Sequence, residues 1–230
     1  MMFKNLCLTA LLLLGSSLLG SSEAATLQDA QSLLDKAQYL QASTTASSLN
    51  TEAGDLLAAR ALVNGYMQFQ KGERVEQMQS AEKYARSALE RRNSAEGHFW
   101  LGSAIGYILA EKGVGAVARA GEVRSHYEEA LKLDPEYADA TFGLAQWHLN
   151  VPSVLGGRLS EAERLFARAV ELNPKRVSYR LYYAEALLKI SGRNKKRATL
   201  QLEAGLKIVP TSDGMREIQD RIRQKLESLR

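Results

Sequence analysis

The sequence predicts an all-α fold, a curved row of antiparallel helical hairpins with about ten helices and no sheet. Three observations predict it. One spacing, a residue followed by others at +4, +7 and +12, recurs as Val123-Tyr127-Ala130-Pro135, Ala162-Phe166-Ala169-Pro174 and Ala198-Leu202-Gly205-Pro210, with a weaker copy at Ala81-Ala85-Ala88-Asn93. Three of the four prolines therefore hold one place in the pattern. Apolar residues elsewhere recur at helical spacing, and no stretch alternates with the period of a strand.

The residue types follow from the packing they must make. A small residue at +7 lets two antiparallel helices approach closely, and an aromatic or leucine at +4 fills the groove between hairpins. Proline lacks an N–H, so it ends one helix and precedes the next.

Taken in chain order, residues 1–24 read as a secretory signal peptide. Lys4 precedes an apolar stretch, Leu6–Leu19, and Ser22-Glu23-Ala24 offers a small-residue cleavage site. The stretch is broken by Gly15-Ser16-Ser17 and falls short of the roughly 20 residues of a spanning helix. Cys7 precedes the apolar core instead of following it, which speaks against a lipoprotein, and cleavage removes this single cysteine. Export, with the bacterial periplasm as destination, is the expectation.

Residues 25–52 are expected to hold a helix, Leu27–Leu40, and a soft polar linker, Ser43–Asn50. Residues 53–211 then carry the hairpins, opening with a helix at Ala53–Phe69. The clearest copies are 96–135, 138–174 and 177–210, whose first helices fall at Gly97–Leu109, Tyr137–Leu149 and Val177–Ile190. In residues 212–230 the segment Asp213–Leu229 places Met215, Ile218, Ile222, Leu226 and Leu229 on one face. Such a helix caps the apolar flank that a last repeat exposes.

Composition excludes several function classes. The 230 residues are 45% hydrophobic with a net charge of +4, which rules out wholesale disorder and gives no support to a dedicated nucleic-acid binder. One cysteine excludes a disulfide framework and a Cys-rich zinc site. The histidines, His98, His126 and His148, lie on different predicted helices without a metal-binding spacing, so neither a metal nor a cofactor is expected. No serine sits in a G-x-S-x-G elbow, and Gly113-x-Gly115 lacks the strand and Lys of a phosphate loop. Glu128, Glu129, Glu161 and Glu163 favour helix dipoles and neighbouring arginines. The chain is not expected to be an enzyme.

Two connections, Glu111–Gly121 and Asn150–Leu159, are long for helical hairpins. As surface turns they use Gly113, Gly115, Gly156 and Gly157 for positive φ; long connections on one face can also shape a binding site.

Pro135 and Pro174 are 39 residues apart, and Pro174 and Pro210 are 36 apart, close to the roughly 34-residue tetratricopeptide (TPR) period. The spacing resembles that of TPR proteins. More narrowly, YARSALERRNSAEGHFW (Tyr84–Trp100) and AVARAGEVRSHYEEALKLDPEYA (Ala116–Ala138) look like bacterial relatives of the regulator of microtubule dynamics family. The loop VPSVLGG ahead of Leu159–Pro174 is similar to that of the T-component proteins of TRAP transporters. Both resemblances imply a helical-repeat binding module without known catalysis; the second implies a periplasmic accessory of a solute-binding subunit.

In a curved row the first helices line the concave side. The groove positions are then Trp100, Tyr107, Asp139, Phe142, Gln146, Ser178, Leu181 and Glu185, a mixture suited to an extended peptide or a small ligand. Aromatic residues at this spacing also serve as core. Charge is uneven: residues 173–207 hold nine Lys/Arg against two Glu, while residues 26–60 hold two against four Asp/Glu. Arg193, Lys195, Lys196 and Arg197 read as a solvated turn or as an anionic dock for lipid head groups, an acidic peptide or a cell-wall polymer. The expected role is an exported scaffold that binds a protein partner on its concave face; the alternative is a small-molecule or lipid-binding accessory subunit of an envelope transport system.

Overall fold

A computed structural model describes residues 25–113 and 118–230 of the chain. The signal peptide read over residues 1–24 lies outside the described residues. Among those described there are eleven α-helices and no strand.

The chain opens with α1 (Leu27–Asp35) and α2 (Tyr39–Ser47). Thr26 caps α1 in a reciprocal box with Asp29, which satisfies two N–H groups that a helix start leaves unpaired. The single helix expected over Leu27–Leu40 is instead two, because Ala37 adopts a left-handed backbone at φ 57° and turns the chain. The expected linker at Ser43–Asn50 is likewise helical as far as Ser47, with Ser43 and Ala46 buried. Its hydroxyls bond back along the chain, Thr44 Oγ1 to the Leu40 carbonyl at 2.9 Å and Ser47 Oγ to that of Thr44 at 3.1 Å. Side chains that would otherwise draw the backbone out of the helix are thereby satisfied within it.

Four hairpins follow: α3 (Glu52–Gly65) with α4 (Arg74–Arg91), α5 (Ala95–Lys112) with α6 (Ala120–Leu133), α7 (Ala138–Asn150) with α8 (Leu159–Leu172), and α9 (Val177–Ile190) with α10 (Lys195–Leu206). Each second helix packs on its own first helix, and those of the first three hairpins also pack on the first helix of the next. Every residue at the +7 position, Ala88, Ala130, Ala169 and Gly205, is buried. Pro135 and Pro174 each stand two residues past the last residue of a helix, after a cap at Asp134 and at Asn173.

The +4 residue shows how the seam is built. Tyr127 of α6 lies between Gly102 of α5 and Gly143 of α7; a methyl group on those glycines would sit 3.0 Å and 2.6 Å from its ring. Two glycines on neighbouring first helices therefore make room for one tyrosine, whose hydroxyl pairs with Ser103 Oγ at 3.2 Å. Burial raises that hydroxyl's pKa to about 12. Asp55, almost wholly buried on α3, is held by Ser87 Oγ at 2.7 Å and Arg91 at 3.4 Å from α4.

The last helix, α11 (Asp213–Ser228), covers the flank of α9 and α10. Ile222 is fully buried there, and Gln219 Nε2 donates to the carbonyls of Gly205 and Ile208. This helix also reaches the other end of the row. Gln68, in the turn after α3, donates to both carboxylate oxygens of Glu217 at 2.7 and 2.9 Å. A methyl group on Gly214 would stand 3.3 Å from the Tyr39 hydroxyl. The superhelix thus curls until its two ends touch.

Candidate functional site: the concave cleft

Curvature places one face of each first helix on the inside of the row, and side chains there converge on a cleft of 200 Å³. Its walls are Arg60 of α3, Glu96 and Trp100 of α5, Tyr137 and Asp139 at the start of α7, and Arg176 just before α9. All six belong to, or directly precede, the first helices of successive hairpins.

The cleft is polar, and its groups differ in what they already bind. Trp100 Nε1 donates to Glu96 Oε1 at 3.1 Å. Asp139 accepts the Tyr179 hydroxyl at 2.5 Å and lies 3.6 Å from Arg176. Burial, followed by the Asp139 and Glu96 charges, pushes the Tyr137 hydroxyl far above its ordinary pKa, so it stays protonated as a donor. Neither that hydroxyl nor the half-buried Arg60 guanidinium has a hydrogen-bond partner among the described residues. Two donors therefore face the cleft without a protein acceptor. A guanidinium half removed from water binds a carboxylate more strongly than an exposed one.

At the C-terminal ends of α3 and α5 lies an aromatic cluster, in which Tyr66 is buried and Tyr107 half-buried. Tyr66 and Tyr107 stack at 4.1 Å between ring centres, and the Tyr66 hydroxyl donates to Glu111 at 2.5 Å while Arg74 lies over its ring. Burial and this bond raise the Tyr66 hydroxyl pKa to about 12. Across from them Arg221 of α11 sits over the Tyr182 ring at 5.4 Å and 4.0 Å from Glu185.

The eight expected groove residues separate accordingly. Trp100 and Asp139 line the cleft, although Trp100 is only 3% exposed. Tyr107 joins the aromatic cluster, and Glu185 faces Arg221. Phe142 is half-buried, stacked on Tyr179 at 4.8 Å and edge-on to Tyr182 and Phe166, so it joins α7 to α9. Gln146 accepts from Asn150 Nδ2 at 3.3 Å, and Ser178 is half-buried on α9.

Leu181 must be corrected: at 0% exposure it is core and touches no groove. Residues four apart share a helix face, and Val177, which begins α9, is itself buried. The half-buried residues on the neighbouring face of α9 are Ser178, Tyr182 and Glu185, so Tyr182 takes the place expected of Leu181.

Arg60, Glu96, Tyr137 and Arg176 are not among the residues that spacing alone assigns to the groove. Glu96 is the first position of its repeat, outside the set that the pattern turns inward, while Tyr137 and Arg176 precede theirs by one residue. Arg60 belongs to a hairpin without a proline to set its register.

All four residues of the basic group are exposed; Arg197 is engaged by Glu163 at 2.7 Å and bonds the Tyr183 hydroxyl, while Arg193, Lys195 and Lys196 make no ion pair among the described residues. Gly113 and Gly156 do have positive φ, at 66° and 96°. Gly157 is needed for close approach instead, since a methyl group on it would overlap the Val151 carbonyl.

Two of the histidines meet: His98 and His126 bring their Nδ1 atoms to 2.9 Å across the α5–α6 seam, and His98 Nε2 pairs with Asn93 at 2.8 Å. Among the described residues no group of three or more His, Cys, Asp or Glu could hold a metal ion. No helix there is long and apolar enough to cross a membrane.

The architecture has known counterparts. A thermophilic TPR protein of Thermus thermophilus superposes with a TM-score of 0.66 at 17% identity, over 87% of this chain and 97% of that one. The TPR2AB-domain:pHSP90 complex of yeast Sti1 gives a TM-score of 0.37 at 17% identity, over 87% and 84%. The first of these identifies the fold as a TPR superhelix. No curated protein matches the sequence. The model of the TRAP transporter T-component family spans residues 8–226, nearly the whole sequence, and the chain belongs to that family.

Proposed function

We propose that this protein is an exported, non-enzymatic scaffold of a TRAP-type transport system, which holds a protein partner against its concave face. The observation that carries the reading is the cleft formed by four successive first helices, in which Arg60 and the Tyr137 hydroxyl have donors free for a ligand. Small-molecule sites are mostly apolar and run to about 300–1,000 Å³; this cleft is smaller and polar, a better match for one charged or polar side chain of a partner polypeptide. Half-buried Tyr107 and Tyr182 offer further aromatic surface to an extended segment.

Family membership favours a second reading, an accessory subunit whose cleft takes the solute itself. One experiment separates the two. The wild-type protein and an Arg60→Gln, Arg176→Gln variant are used as bait on the envelope fraction of the source cell, with melting temperatures measured in parallel. The scaffold reading expects one stoichiometric partner that the variant loses while its melting temperature holds. Capture of the same partner by both proteins contradicts it, and a small molecule carried by the wild type alone selects the second reading.

A further inference from the structure

Two short turns at one edge of the row carry an unusual combination. The turn Ser153–Leu155 joins α7 to α8, and the turn Gly192–Asn194 joins α9 to α10. Lys189 Nζ donates to Asn150 Oδ1 at 2.9 Å, tying the ends of α7 and α9 so that both turns project from the same edge. Val154 is 88% exposed there, with Leu155 at 45% and Leu159 at 47%. Arg158 directly precedes Leu159, and Arg193, Lys195 and Lys196 lie in and just after the second turn at the same edge, all exposed and none in an ion pair among the described residues. The nearby carboxylates are occupied, Glu161 by Arg164 at 2.6 Å and Glu163 by Arg197 at 2.7 Å, and leave that positive charge uncompensated.

We propose that this edge docks on an anionic lipid bilayer, with Val154, Leu155 and Leu159 entering the interface and the four cations lying against lipid phosphates. Apolar side chains on a projecting turn, ringed by cations, suit shallow interfacial insertion. A protein partner is better served by a recess with packed walls. The concave cleft faces the inside of the row, so docking by this edge leaves it open, and the proposal is independent of what the cleft binds.

The test is sedimentation of the full chain with vesicles of phosphatidylcholine alone or mixed with phosphatidylglycerol. Binding is expected to rise with phosphatidylglycerol and fall with added salt. Each cation at an anionic surface strengthens partition about fivefold, so Lys195→Gln with Lys196→Gln weakens it by about twenty-five-fold. Val154→Asp with Leu155→Asp weakens it as well, at an unchanged melting temperature. Lys175→Gln with Lys207→Gln, at the opposite edge, leaves it unchanged. Equal sedimentation with both vesicle types, as an attachment through residues 1–24 would give, overturns the proposal. So does a Lys195, Lys196 variant that binds like the wild type, or no binding at all, which leaves the edge to an acidic protein.

Discussion

Tyr127 sets the tolerance of the whole seam, because glycines on two neighbouring helices touch its ring. Gly143→Ala places a methyl group 2.6 Å from a ring that cannot move away and is expected to destabilise the protein by about 1–3 kcal/mol. Gly205→Ala meets only the flexible end of Ile222, at 2.8 Å, and is expected to cost less. Chemical denaturation of the two variants checks the order. Such positions are legible in a sequence because each is fixed by a repeat: +4 is large, +7 is small, and several copies agree. The cleft is less legible. Arg60 has no proline nearby to set its register, and Tyr137 and Arg176 are loop residues by spacing that curvature swings inward. Leu181 goes the other way, since one residue of register, about 100° of turn, separates core from groove.

At the level of the element, α5 and α6 are joined by a titratable contact. Burial holds His126 below the usual imidazole pKa, and a neighbouring His98 charge lowers it further; burial does the same for His98. Both imidazoles are therefore neutral in the folded protein where an unfolded chain begins to protonate near 6.5. The unfolded state then takes up more protons, so stability is complete above about pH 7 and falls as the pH drops through 6.5 and below. His126→Gln is expected to flatten that dependence, measured as melting temperature against pH. Glu122 acts at lower pH: its bond to Arg119 just before the same helix, with help from Arg86 on α4, holds its pKa at about 2. That contribution is present above its ordinary value near 4.5 and is lost as the pH falls toward 2. Helix existence is readable from periodicity, and α9 has the bounds expected for it. The break at Ala37 is not, because an alanine gives no sign of a left-handed turn. A Ser/Thr-rich segment likewise gives none of being helical when its hydroxyls bond their own backbone.

For the whole molecule, curvature is the property that makes a site from ordinary helices. The row closes where Gln68 grips Glu217 and where α11 lies on Tyr39, with Ile222 filling the last seam. Ile222→Ala is expected to destabilise by about 2–5 kcal/mol and to loosen the closure, read as unfolding free energy together with radius of gyration from small-angle scattering. Nothing in the linear pattern announces that closure, which sums small rotations between hairpins. The TPR spacing and the VPSVLGG loop do point to the family, whereas the occupant of the inner face is written in no repeat.

That occupant gives the most direct measurement of the central claim, that a partner is held inside the curve. A photoreactive amino acid is placed at Gln146 or Ser178, which the repeat pattern assigns to the groove, or at exposed Leu200 on the second helix α10, and cross-linked in intact envelopes. One partner is expected to attach from both inner positions, to be absent from Leu200, and to disappear when Arg60 is replaced by Gln. Cross-links of equal yield from Leu200, or inner cross-links indifferent to Arg60, contradict the account.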